Sequence, residues 1–398
     1  MTASRSLVAL CLSLLVATSA AAAQQATAFD ADFTGATWRL DLFHSGTAGE
    51  EHFAVDSVRR EGPWPGSRVQ LEDTSGLGKY FLEVRDGATH RVLFSHGFAS
   101  IYGEWETTGE AQKGVWRTIH ESVRFPEPRR PVDVVLKKRQ DDGSFGEIYS
   151  TPIDPAGRTV DRSPIPEVGE AWTVLEGGPV ETSVDLLILG DGYTAGDSDV
   201  FEADVERLTA ALFATEPFRS RKGSFNVRAL MPPSHDAGVT DPRAGAWHNT
   251  ALGLTYNAFD SERYVLTFAN RRLREIAAQQ PYDALILLAN NRKYGGGGIY
   301  ELWTTAAAHN AEDAYLVVHE FGHSFAGLGD EYYTSQVSYQ GFTKPGVEPW
   351  EPNVTALLPG QNLKWSDLVQ EGTPIPTPWH QDAYDEISVA YQEQRQKL

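Results

Sequence analysis

The spacing of apolar residues changes once along this chain, and the change limits the folds it can adopt. Up to about residue 150, apolar residues come in short runs rich in aromatic and β-branched side chains, at 37–42, 80–84, 115–119 and 132–136. Clusters of Gly, Pro and Asp separate the runs, as turns between strands require. Short strands so spaced predict a small β-sandwich. Beyond residue 170 the mostly apolar run 184–189 leads into helical spacing over 200–215. A strand at 225–230, a helix at 262–279 and a buried strand at 284–289 follow. Strands alternating with helices predict an α/β layered domain. The 398 residues suit two domains. The expected fold is thus α+β overall, a β-sandwich-like domain over 24–150 followed by an α/β domain over 170–398. The intervening 151–169, with Pro152, Pro155, Gly157, Pro164 and Pro166, reads as a linker. A charged helix is expected near 382–397.

The first 23 residues belong to neither domain. Arg5 precedes an apolar run over 7–17, too short to span a bilayer, and Ala21-Ala22-Ala23 offers a cleavage site before Gln24. This predicts a signal peptide over 1–23 and a secreted or periplasmic mature chain. No later run approaches the roughly 18 apolar residues of a membrane helix. Cys11 is the only cysteine and would leave with the signal, so thiol nucleophiles, thiolate metal sites and disulfides are excluded from the mature chain. The net charge of −20 becomes −21 on loss of Arg5, which argues against nucleic acid or an anionic membrane as partner.

One segment carries recognisable chemistry: His319-Glu320-Phe321-Gly322-His323. Histidines at i and i+4 of a helix lie on one face, one turn apart, and both imidazoles can reach a single zinc at about 2.0–2.1 Å. Glu320 can reach a water on that zinc without being a ligand. The preceding residues support a helix. Asp313 is a cap or first-turn acid, and Ala314, Val317 or Val318, Phe321 and Phe325 mark a core face. Gly327 and Gly329 can end the helix and turn the chain back. A catalytic zinc takes three protein ligands and keeps one position open. Asp330, seven residues after His323, is the expected third ligand, with Glu331 the alternative.

The run from His319 to Phe325, with Gly327-Leu328 and Asp330-Glu331-Tyr332, resembles the IgA-peptidase family of bacterial zinc metallopeptidases, whose signature is HEFGHSFxGLxDEY. The likeness extends to 189–194, Asp241-Pro242-Arg243 and 294–298, and it fits a β-rich domain ahead of the catalytic one. It implies a zincin-like metallopeptidase domain, one zinc per chain, hydrolysis of a peptide or protein substrate, and roles for His319, Glu320, His323 and Asp330. The third-ligand spacing is one residue longer than the HExxHxxGxxH/D pattern of the broader metzincin class. The family's catalytic domain is expected to run on into a segment with a methionine turn. Met1 and Met231 both precede the metal helix, so the chain is expected to be truncated at its C-terminus.

In the mechanism these residues imply, zinc lowers the pKa of a bound water towards about 7 while Glu320 takes its proton and passes it to the leaving amine. Tyr332 or Tyr333 is a candidate donor to the tetrahedral intermediate, or a packing residue. The glycine run 295–298 reads either as a strand edge where a peptide adds or as a flexible loop; no Gly-Lys-Ser/Thr follows, so it is not a phosphate loop. Gly190-Asp191-Gly192-Tyr193 reads as a strand-end turn, and His309 and His380 as possible substrate or supporting groups. His44, His52, His90, His96 and His120 lack ligand spacing and are expected to be structural or exposed. Two other functions stay open: a secreted binding protein with a structural or degenerate zinc site, and a zinc hydrolase of non-peptide amides.

Overall fold

The computed structural model describes residues 29–331 and 344–395. The expected signal peptide and Tyr332 and Tyr333 lie outside them. Two four-stranded sheets form first. One has the order β5-β1-β2-β8, from Phe33–Gly46 (β1), Glu51–Pro63 (β2), Arg117–Pro128 (β5) and Val160–Asp161 (β8). The other has the order β4-β3-β6-β7, from Tyr80–Asp86 (β3), Val92–Phe98 (β4), Val132–Arg139 (β6) and Phe145–Ile153 (β7). Alternate side chains of both sheets, including Trp38, Leu40, Leu82, Val84, Phe125 and Val134, meet in one apolar core. The β-sandwich expectation therefore holds. Within 151–169 the chain completes β7 and forms β8, so this stretch adds to both sheets.

The second layer is a six-stranded sheet with the order β15-β16-β14-β10-β11-β9. Its strands are Glu170–Leu175 (β9), Val184–Asp191 (β10), Phe225–Met231 (β11), Ala284–Ala289 (β14), Gly296–Ile299 (β15) and Trp303–Ala307 (β16). The inner four are parallel; β9 and β15 are antiparallel edges. Helices Ser198–Leu212 (α1) and Asp313–Ala326 (α3) cover one face through Val205, Leu208, Leu316 and Phe321. Helix Asn270–Ala277 (α2) covers the other through Leu273 and Ile276, joined there by Ala99, Ile101 and Trp105 of the sandwich. A last helix, Gln381–Arg395 (α4), lies where charged helical spacing predicted one. No helix among the described residues is long and apolar enough to cross a membrane.

The helix expected over 262–279 forms only from Asn270. Its first part is drawn into long-range pairing. Leu254–Thr255 (β12) pairs with Leu266–Thr267 (β13), and Val265 N–H donates to the Gly296 carbonyl at 3.1 Å. Thr267 Oγ1 then accepts from Ala269 N–H at 3.0 Å, just ahead of the helix. Backbone groups already paired in a ladder gain nothing by turning helical.

A buried imidazole fastens the sandwich to the short helical turn at Ile101–Trp105. His44 is sandwiched between the rings of Phe53 and Tyr102, with centroids at 3.9 and 3.7 Å. Its Nδ1 lies 2.8 Å from Glu121 and its Nε2 2.9 Å from Glu51. Burial opposes a charge on His44, but the Glu121 and Glu51 carboxylates outweigh it and raise its pKa above the usual 6.5. Glu51 is also pushed up by burial, and His44 and Lys138 overcome this to hold it at about 2. A raised folded-state pKa on histidine means stabilisation that is full below the unfolded value and lost as pH rises through the folded one. Unfolding free energy is therefore expected to fall as pH climbs above about 6.5, and His44→Gln to flatten that slope. Denaturant titrations between neutral and alkaline pH test this; an unchanged slope in the variant would refute the role given to His44.

Candidate metal centre

Helix α3 buries Leu316, Val317 and Phe321 against the sheet, each worth about 1.5–3 kcal/mol of transfer free energy. Phe321 and Phe325 stack at 4.9 Å beside Phe218. Ala314, expected on this face, is exposed, and Leu316 takes its place because the buried stripe runs through 313, 316, 317, 321 and 324. Asp313 is a first-turn acid and pairs with Arg207 at 2.7 Å. His319 and His323 lie to one side of this stripe, and Glu320, one turn from Leu316, points towards β15; all three are half-buried.

The three ligand candidates converge. His319 Nε2 and His323 Nε2 are 3.1 Å apart, and Asp330 Oδ1 is 3.3 Å from the first and 3.2 Å from the second. Ligand atoms about 2.0–2.1 Å from a tetrahedral ion are about 3.3–3.4 Å from one another, so this triangle is nearly the right size for one. Glu320 belongs to the same cluster of potential donors. The cause of convergence is the helix end. Gly327 takes a left-handed backbone (φ 65) and donates its N–H to the His323 carbonyl at 3.0 Å. The chain then folds back, and the Leu328 carbonyl accepts from His323 Nδ1. That bond assigns the Nδ1–H tautomer and leaves the Nε2 lone pair facing the cluster. The ring of Tyr315, one turn before His319, stacks on it at 5.6 Å.

Two parts of this site have no signal in the sequence. Asn353 clamps the returning loop: its Oδ1 accepts from Gly329 N–H at 2.8 Å, and its Nδ2 donates to the Gly329 carbonyl at 2.9 Å and to Glu331 at 3.2 Å. Glu331, the alternative ligand, is thereby turned to Asn353. Glu104 is the second. It comes from the sandwich domain, and burial pushes its carboxyl up while Lys79 and His323 pull it down and Glu351 adds to the rise. The charge of an N-terminal-domain residue thus reaches His323. Burial pushes Glu320 up to about 7 against the pull of His323 and His319. Burial likewise pushes the Tyr294 phenol up, with Glu320 adding to it.

The glycine run is no loop. Gly296–Ile299 is edge strand β15, antiparallel to β16 and lying directly under α3. A Cβ on Gly298 would come within 2.2 Å of the Glu320 carbonyl oxygen and 2.8 Å of His323 Cβ; one on Gly296 would meet Glu320 Cγ at 3.2 Å. Only bare backbone lets the helix settle this close.

The other candidates have structural work. His309 Nε2 lies 2.6 Å from Asp204, which also accepts from Tyr193 at 2.8 Å. Asp191 accepts from Leu252 N–H, Leu254 N–H and Thr250 at 2.7–2.9 Å, ordering the loop before β12. His380 is exposed ahead of α4. A second cluster of potential donors, Asp41, Asp56 and His120, is already neutralised. Arg39 lies 2.8 Å from Asp41, and Arg271 pairs with Asp56, so a cation there would meet two guanidiniums.

The family model described as IgA Peptidase M64 matches residues 173–398, and that of the Peptidase M64 N-terminus matches residues 28–150. No curated protein matches the chain.

Gly298→Ala is expected to push α3 off the sheet, at a cost of about 1–3 kcal/mol, and to weaken divalent-metal binding. Denaturant unfolding and a metal titration measure both. A variant that keeps wild-type stability and metal affinity would mean the close approach is not needed.

Proposed function

This chain belongs to the IgA peptidase M64 family, with that family's N-terminal domain ahead of the peptidase domain, and it is therefore a peptidase. From that premise we propose that it is a secreted zinc-dependent endopeptidase, with zinc on His319, His323 and Asp330 and with Glu320 as general base. The observation that carries the reading is the triangle of 3.1–3.3 Å formed by two imidazole nitrogens and one carboxylate oxygen. Two neutral imidazoles and a carboxylate are a donor set that suits zinc. When bound, zinc supplies Lewis acidity that polarises a carbonyl and acidifies water.

The chain's own residues do the rest. His323 is tied at Nδ1 to the Leu328 carbonyl, which leaves Nε2 as the nitrogen that would bind the ion. Without a metal, burial lowers its pKa, but Asp330 and Glu320 outweigh burial and raise it to about 9, so metal binding would displace a proton. Glu320 sits beside the ligand set with its pKa drawn towards neutrality by burial, which suits a group that must both accept and release a proton. A cation between the histidines would lower that value again, which favours the ionised form. Glu320 takes the proton from the attacking water at a carboxylate oxygen and delivers it to the amine nitrogen as the peptide C–N bond breaks. Edge strand β15 is the proposed bed for the substrate backbone. Gly296 already uses its outward groups on Arg263 and Val265, so Gly298, two residues along and pointing the same way, offers the next pair.

Removal of zinc by a chelator is expected to abolish peptide cleavage, and added zinc to restore it. Glu320→Gln should retain about one zinc per chain while lowering kcat by roughly 100-fold or more. Metal analysis beside a casein or peptide assay tests this. Near-normal turnover in the variant would remove Glu320 from the mechanism, and zinc retained by an unaltered chain with no cleavage of any peptide would favour the binding-protein alternative.

A further inference from the structure

The outer edge of β15 is closed at both ends and open between them. Gly296 N–H donates to the Arg263 carbonyl at 3.1 Å, and its carbonyl accepts from Val265 N–H at 3.1 Å. Just past the strand, the Tyr300 carbonyl accepts from Ala99 N–H of the sandwich domain at 3.0 Å. Gly298 lies between these two stops, and its outward N–H and carbonyl have no partner among the described residues. It is half-buried, whereas Gly295, Gly296 and Gly297 are buried.

Ladder geometry decides which way a peptide runs through this window. In an antiparallel pair one residue can exchange both bonds with the residue opposite, so a single substrate residue satisfies Gly298. A parallel partner would need two residues, one on each side of Gly298, and Val265 already stands in the first of those places. The substrate is therefore antiparallel to β15. Residues after the paired one run from Gly298 towards Gly296 and the segment 263–265. Glu320 and His323 both lie against Gly298, so that direction is the leaving-group side of the cleaved bond.

A cation without an anion stands at that end. Arg263 is half-buried, and its guanidinium makes no hydrogen bond or ion pair among the described residues. It lies 5.5 Å from the centre of the Tyr294 ring. Tyr294, two residues before Gly296, packs on the core beneath α3. After burial, Glu320 is the largest influence on its phenol. The neighbouring cations are committed elsewhere: Lys293 to Asp241 at 2.8 Å and to Glu262 at 3.2 Å, and Arg243 to Asp260 at 3.1 Å. Acids exceed bases by 20 in this chain, so Arg263 is not left alone for want of them. Its place is fixed by a strained loop. Asn257, Phe259 and Asp260 take left-handed backbone (φ 60, 55 and 63), and Arg243 clamps the loop through the Asn257 side chain and the Asp260 carbonyl. The planar fork of an arginine is suited to a carboxylate.

We propose that Arg263 is a specificity-determining residue that takes a carboxylate of the substrate on the C-terminal side of the cleaved bond, either an Asp or Glu side chain or the substrate's own C-terminus. The inference rests on the peptidase reading above, with substrate paired to Gly298.

Matched N-acetylated peptides, cleaved by the zinc-loaded full chain and mapped by mass spectrometry, test this. Asp is compared with Asn and Glu with Gln at successive positions after the cleaved bond, and a free C-terminus with its amide. The carboxylate member of one kind of pair is expected to have a kcat/KM about tenfold higher or more, and the kind of pair identifies its source. Arg263→Gln should bring that ratio close to one, Arg263→Lys should restore part of it, and Arg263→Glu should turn the preference towards lysine. Equal rates within every pair, or a ratio that survives in Arg263→Gln, would overturn the proposal and leave the peptidase reading standing. Cleavage of no peptide at all would overturn both. The matched pairs use an unaltered Arg263, so they decide even if a variant fails to fold.

Discussion

Two candidate ligands on a helix and a third beyond its end can meet only if the chain reverses within a few residues, and in this protein that reversal happens at Gly327. Its left-handed backbone ends α3, returns its N–H to the His323 carbonyl, and sends Leu328 back over the His323 ring. The ring is then tied at Nδ1, and Asp330 arrives opposite both Nε2 atoms. A Cβ at Gly327 would also come within 2.9 Å of Trp350, whose ring packs on Tyr300 at 5.4 Å. The turn is thus enclosed by the segment that also supplies Asn353.

The features that could be read from the sequence are those set by neighbours along the chain. Histidines four apart, an acid between them and glycines after them are local relations, and the structure keeps all of them within one helix and its cap. The strands of the sandwich and the alternating layers of the second domain were likewise marked by period. The unread features are those decided across the sheet. Glycines at 295–298 have the same composition whether they form a loop or a bed for a helix, and only the approach of Glu320 and His323 distinguishes the two. The helix predicted from 262 loses its first turns because Arg263 and Val265 pair with Gly296, more than thirty residues on. Asn353 and Glu104 lie far from the motif in the chain and have no spacing that marks them.

The N-terminal domain takes part in the site's architecture. His44, held between Glu51 and Glu121 and between two rings, stacks on Tyr102 in the turn that carries Glu104. Trp105 of the same turn is buried in the core that includes Leu187 and Leu273 of the peptidase domain. Polar ties run alongside: Asn270 donates to Ser122 at 2.8 Å, and Arg124 lies over the Tyr282 ring at 3.7 Å. A sandwich joined through both a shared apolar core and buried polar contacts does not swing freely, because separation would expose apolar area and leave charges unpaired.

A strand of glycine imposes a further consequence. Because Gly296, Gly297 and Gly298 are bare, β15 can accept a peptide backbone but has no side chain with which to choose among peptides. Discrimination, if a peptide adds there, falls to what surrounds the strand: Tyr315 standing exposed on α3, Glu104 from the sandwich, and Trp350 and Glu351 beyond the Asp330 loop. Glu351 adds to the burial that raises Glu104, and both have Lys79 as a nearby cation. Besides the helix itself, two separate stretches of chain are involved, and neither contains a candidate ligand. Closeness to α3 leaves no room for side chains at Gly296 and Gly298, so a substrate bound along β15 would have to be selected by residues outside the strand.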